Sequence, residues 1–162
     1  LKFAEIPMNH SSVLASVVLF TLGATADAQV EPAGSAPPAA VSAPVMAADG
    51  SQTWPSGLVY RSLREGTGAS PLATDTVKVH YRGTFPSGKE FDSSYTRGQP
   101  AEFPLNRVIA CWTEGVQKMK VGGKAKLICP ATIAYGSKGA GKVIPPGATL
   151  HFDVELLGIA GR

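Results

Sequence analysis

The stretch TVKVHYRGTFPSGKEFDSS, Thr76 to Ser94, decides the architecture. Val77, Val79 and Tyr81 alternate with Lys78, His80 and Arg82, the period of two that a half-buried strand needs. A Pro-Ser-Gly turn at 86–88 then reverses the chain into KEFDSS, a second short strand. Two more runs repeat the pattern downstream: KAKLIC (124–129) and ATLHFDVELLG (148–158), in which Leu150, Phe152, Val154 and Leu156 share one side. LVYRSLRE (58–65) is a further strand candidate upstream. The one good helix is ACWTEGVQKM, 110–119: Trp112, Val116 and Met119 fall on one face, and Gly122 and Gly123 end it. Several strands with one apolar face each, and one helix to cover them, predict an α+β half-wrapped antiparallel sheet.

Outward from that core the chain changes character. Residues 13–24, VLASVVLFTLGA, are an apolar run too short to span a bilayer comfortably, followed by a small-x-small site at Ala26-Asp27-Ala28. This predicts a signal peptide over 1–28, with Met8 as the start and cleavage after Ala28, and hence export to the periplasm or the exterior of a Gram-negative cell. No lipobox cysteine accompanies it, and no stable membrane insertion is expected. From Gln29 to Thr53 the chain is rich in Ala, Pro, Gly and Ser without periodicity, which predicts a disordered tether. The folded domain is then 54–162, about 100 residues, enough for one core. The net charge of +3 is mild and its lysines are scattered, so nucleic-acid binding is not indicated.

Several apparent motifs dissolve on inspection. GSKGAGK (136–142) has phosphate-loop spacing, but Val143 stands where Ser or Thr must hold magnesium, and Pro145-Pro146 block the helix that would bind phosphate. His80 and His151, both on polar strand faces, have no evident third ligand, so no metal and no cofactor are expected. Asp92 lacks a partner carboxylate for acid–base work; the residues alone read it as a structural acceptor, held by Arg97.

VHYRGTFPSGKEFDSS, FPLNRVIACWTEGVQKMKVGGKAKL, AYG and VIPPGATLHFDVELL, in that order, resemble the successive signatures of FKBP-type peptidyl-prolyl cis-trans isomerases, and of the bacterial macrophage-infectivity-potentiator branch in particular. The resemblance covers about Gly57 to Ile159. It implies a five-stranded antiparallel sheet curled around the helix, with a pocket between them. Tyr81, Asp92, Tyr135 and Phe152 would act on the substrate. Phe91, Arg97, Phe103, Val108, Ile109, Trp112 and Ile144 would bind it, with Trp112 as floor. The Ile109 N–H and the Tyr135 hydroxyl would bond substrate carbonyls. The implied partners are proline-containing polypeptides and macrolide inhibitors. Ala101 departs from the family's rim aromatic, the segment before Val108 is about one residue short, and loop 136–143 lacks a bulky side chain. Longer relatives dimerise through an N-terminal helical region; the tether occupies that place here, so a monomer is expected. The rival expectation is a proline-binding or chaperone module with little turnover.

Rotation about an Xaa–Pro bond breaks no covalent bond, which is why rings and one acid can suffice. Cys111 opens the helix and Cys129 shares the inward phase of Leu127, so a disulfide between them is expected; the other reading is two buried thiols.

Overall fold

The computed structural model describes residues 43–161. The segment 1–28 expected to be a signal peptide, and most of the expected tether, lie outside the described residues. Within them the strands are β1 (Val45–Met46), β2 (Gln52–Thr53), β3 (Val59–Arg64), β4 (Thr76–Thr84), β5 (Glu90–Ser93), β6 (Ala101–Pro104), β7 (Lys124–Cys129) and β8 (Leu150–Ile159), and the helix α1 is Ala110–Gln117. All pair antiparallel in one sheet, in the order β1-β2-β3-β7-β8-β4-β5.

The nine-residue β4 is the organiser. β8 runs along one side of it, and the other side is shared: β6 pairs with Thr76–Val79 and β5 with Arg82–Thr84. Residues 94–100 leave the sheet between the two, so β5 and β6 fill a single strand position. Counted this way, β3, β7, β8, β4 and β5/β6 make the expected five-stranded sheet. The β1–β2 hairpin adds to its β3 edge.

That hairpin falls inside the stretch read from sequence as tether, so ordered structure begins before Trp54. Val45 and Met46 remain 71% and 61% exposed. Backbone bonds to the next strand hold them, and such bonds leave no apolar pattern in a sequence. β6 also escaped the sequence reading, being four residues long and ending in a proline.

Side-chain alternation decides which face is covered. Val77, Val79 and Tyr81 of β4, Ala125, Leu127 and Cys129 of β7, and Leu150, Phe152, Val154 and Leu156 of β8 are buried against α1. The helix has eight residues and no side-chain cap at its start, so tertiary packing supplies its stability. Gly115 lets it approach closely: a Cβ there would stand 2.9 Å from both methyls of Leu127. A disulfide joins Cys111 in its first turn to Cys129 at the end of β7, with Cα atoms 5.7 Å apart, the pairing expected from the strand phase. Among the described residues no helix is long and apolar enough to cross a membrane.

Candidate active site

Inward-facing rings from three parts of the chain meet over α1. Trp112 lies at the centre, 1% exposed. The rings of Tyr81, Phe103 and Phe152 stand nearly perpendicular to it, with centroids 5.2, 5.4 and 5.4 Å away. Phe91 from β5 sets its ring edge-on to Phe152 at 5.6 Å and tilts against Phe85 at 5.1 Å. Edge-to-face pairing is the arrangement that ring quadrupoles favour, each pair contributing about 0.5–1.5 kcal/mol beyond burial. Perpendicular walls around one flat ring leave a slot above it.

The slot is lined by Tyr81, Phe91, Asp92, Ile109, Trp112, Tyr135 and Phe152, and its empty volume is about 250 Å³ including the part open to solvent. Four further residues expected at the site do not line it. Phe103, Val108 and Ile144, at 4%, 7% and 1% exposure, are buried in the core. Phe103 supports the Tyr81 and Trp112 rings from the side away from β5. Arg97 stands at the rim.

The acid at the slot's edge is saturated. Arg97 Nη1 and the Ser93 N–H (2.9 Å) donate to Asp92 Oδ1, and the Tyr81 hydroxyl donates to Oδ2. Arg97 Nη2 also donates to the Tyr81 oxygen at 3.0 Å. The Asp92 side chain is 7% exposed, so its charge is balanced locally by the guanidinium. Burial first, and the bond to Asp92 second, push the Tyr81 phenol up to about 12. Tyr135 is raised as well, by burial and then by the nearby Tyr81 and Asp92 groups. Both phenols are neutral hydrogen-bond donors at any physiological pH. Among the described residues nothing bonds the Tyr135 hydroxyl. Ile109, immediately before α1, receives the Trp112 and Thr113 N–H bonds on its carbonyl (2.9 and 3.1 Å). Its own N–H belongs to the helix start, where no helical carbonyl is in position to accept.

Three contributors were not read from the sequence. A Cβ on Gly83 would stand 2.5 Å from Phe91 Cζ and 3.1 Å from Phe152 Cε1, so this glycine makes room for two slot rings. A glycine inside a strand was the available signal. Phe85 backs Phe91. Ser94, fully buried, accepts the Tyr81 N–H at 2.8 Å and returns its hydroxyl to the Tyr81 carbonyl at 3.2 Å, and no pattern marks it. His80 and His151 do not meet: His80 pairs with Glu155, whereas His151 pairs with Thr84, four residues further along β4. Residues 136–144 form a turn closed by an Ala140–Ile144 bridge, and no helix follows it.

The slot has an aromatic floor, an acid paired with a guanidinium, and phenol hydroxyls at its edge, and neither Cys nor Ser is among its lining residues. Its lining suits a small apolar ring. Residues 68–157 match the family profile described as FKBP-type peptidyl-prolyl cis-trans isomerase. The chain is 58% identical over 111 residues to the FKBP-type peptidyl-prolyl cis-trans isomerase FkpA of Aeromonas hydrophila, covering 68% of this chain and 41% of that protein. It is 44% identical over 110 residues to the peptidyl-prolyl cis-trans isomerase Mip of Coxiella burnetii (68% and 48%). The crystal structure of FkpA from Escherichia coli superposes with a TM-score of 0.66 at 52% identity, covering 68% of this chain and 51% of that one. A peptidyl-prolyl cis-trans isomerase from Pseudomonas syringae gives 0.64 at 40% identity (68% and 80%). This chain belongs to the FKBP-type peptidyl-prolyl cis-trans isomerase family. It spans less than half the length of the first two of these relatives.

Proposed function

We propose that this chain catalyses cis-trans rotation of Xaa–Pro bonds in exported polypeptides, binding the proline ring over Trp112. The ring-walled slot is the observation that carries this reading. Rotation must overcome about 18–20 kcal/mol of amide resonance, and unaided X–Pro bonds exchange in about tens to hundreds of seconds. A twisted amide has less charge separation than a planar one. Transfer from water into a slot walled by Tyr81, Phe91 and Phe152 therefore favours the twisted form over the flat one, which is differential binding. A thousandfold acceleration needs about 4 kcal/mol of it. The Ile109 N–H and Tyr135 hydroxyl would hold the flanking carbonyls while the imide turns. Asp92, bonded on both oxygens, fixes the Tyr81 ring and transfers no proton in this scheme.

All lining residues come from one chain, so the reading needs no second copy, and we take the active unit to be a monomer. The leader-like segment and the Cys111–Cys129 disulfide support a periplasmic or secreted site of action, since disulfides persist in oxidising compartments. Macrolide inhibitors of the family are proposed ligands of the same slot.

The test is isomerisation of a short Ala-Leu-Pro-Phe peptide by the full chain, with Asp92→Leu and Tyr135→Phe beside it. Wild type should exceed background severalfold at micromolar enzyme, and both variants should fall well below it. Background rates with wild type would end the enzymatic reading; binding of proline peptides without turnover would favour a proline-binding module instead.

A further inference from the structure

β8 has two working faces. Phe152 points into the slot, whereas its neighbour His151 lines a separate groove on the face of the sheet away from α1. This groove has an empty volume of about 510 Å³ including the part open to solvent, twice that of the slot. Asp49 and Ser51, from the turn between β1 and β2, form one wall. Its floor is ordered in rungs. Val59 of β3 and Ile128 of β7 pair across the strands as an apolar rung, with His151 next in line on β8. Two residues along, Arg61 pairs directly with Lys126.

Two cations facing each other across a ladder destabilise it, and here the compensation is thin. Arg61 reaches Asp49 only at 3.6 Å, with both side chains about half exposed. Asp49 Oδ1 accepts the Ser51 N–H (3.0 Å) and hydroxyl (2.6 Å), and only Oδ2 faces Arg61. Asp153 of β8 is the cross-strand partner of Lys126 and continues the Arg61–Lys126 rung, but the two make no ion pair, and among the described residues Lys126 and His151 have none. The imidazole registers the local field. Burial first and Lys126 second depress its pKa, and Asp153 opposes them.

We propose that this groove docks an extended, acidic polypeptide segment of the pattern apolar-x-acidic. Side chains at i and i+2 of an extended chain lie about 6.5–7 Å apart on one face. That spacing matches the step from the Val59–Ile128 rung to the Arg61–Lys126 rung. An apolar side chain covers the first and a carboxylate sits between the two cations of the second. The ligand needs no proline, and the site lies on the other side of the sheet from Trp112, so it is independent of the isomerase reading.

The probe is a fluorescent, proline-free peptide of three Val-Ser-Glu-Ser repeats, with a Lys-for-Glu peptide as control, titrated by anisotropy against the full chain. The acidic peptide should bind, weaken as salt rises, and be indifferent to a saturating proline peptide. R61Q/K126Q should weaken it about tenfold or more with near-ultraviolet circular dichroism unchanged. If the double variant misfolds, K126Q alone should still lose about threefold. Equal binding of the lysine peptide overturns the proposal. So does unaltered affinity in the folded variants, displacement by the proline peptide, or a groove that takes inorganic phosphate and no peptide.

Discussion

Replacing Gly83 by alanine alters no residue that lines the slot, yet it should reshape the slot. The added methyl would stand 2.5 and 2.7 Å from Phe91 Cζ and Cε2, and 3.1 Å from Phe152 Cε1. Carbon pairs rest at about 3.5–4.0 Å, so the Phe91 ring must move by about 1–1.5 Å. Phe85 and Phe152 flank it, at 5.1 and 5.6 Å between centroids, and limit its retreat. Overpacking of this kind costs about 1–3 kcal/mol. The backbone gain of Gly→Ala at an unstrained position returns about 0.4–1 kcal/mol. Net destabilisation is therefore between about zero and 2.5 kcal/mol, a shift of up to about 10–20 °C in Tm. Activity should respond far more, because misplacing a binding group by about 1 Å costs up to about 100-fold. We expect G83A to lower kcat/KM by about 10- to 100-fold in a protease-free isomerase assay, at temperatures where circular dichroism shows it folded. Phe91→Ala should then cost much less in the G83A background than in wild type, since the ring is already displaced. Wild-type kcat/KM in G83A, or full additivity of the two changes, would refute the argument.

Two further outcomes follow from the geometry. The bond between Cys111 and Cys129 closes a loop of 18 residues, worth about 3 kcal/mol in the chain-entropy model. Reductant should lower Tm by on the order of 10 °C, and alkylation should add two labels only after reduction; labels without reductant would contradict the pairing. The phenol of Tyr81 is held up at about 12 and that of Tyr135 is raised too, so neither ionises near the ordinary value of 10.0. The kcat/KM profile should stay flat from about pH 7 to pH 10. Because both folded-state values lie above the unfolded one, their stabilisation is complete below pH 10 and is lost as pH climbs from 10 towards 12. An alkaline fall in activity centred at or below pH 10, with the protein still folded, would show a normal phenol at the site.

The parts legible in the sequence were those that burial writes as a period. β4, β7, β8 and α1 each bury one face, and Val77, Leu127, Phe152 and Trp112 mark those faces. The disulfide followed from the same phase. β1 and β2 were missed because backbone pairing, with little burial, holds them, and β6 because four residues with one buried side chain, Phe103, are too few to show a period. The slot is different in kind. Spacing gave no reason to bring Tyr135 to Tyr81, or Ile109 to Phe91; the family resemblance supplied those, because they meet only after the sheet curls over the helix. The pairing of Asp92 with Arg97 was readable from its neighbourhood alone, since they lie five residues apart, whereas its bond from Tyr81, eleven residues back, was not. Gly83 was not, because what matters there is the space taken by two distant rings.

One strand supplies the Tyr81 ring, the bare backbone of Gly83 and the rungs that place β5, β6 and β8. Losing or gaining a single residue between Thr76 and Gly83 would swap inside for outside along part of β4, breaking hearth and chimney together. Evolution and protein engineers alike are left with the Pro86–Gly88 bend as a place to vary length, where Gly88 has open space around it. Diversity in this lineage should collect at that tip, while the strand before it keeps its count.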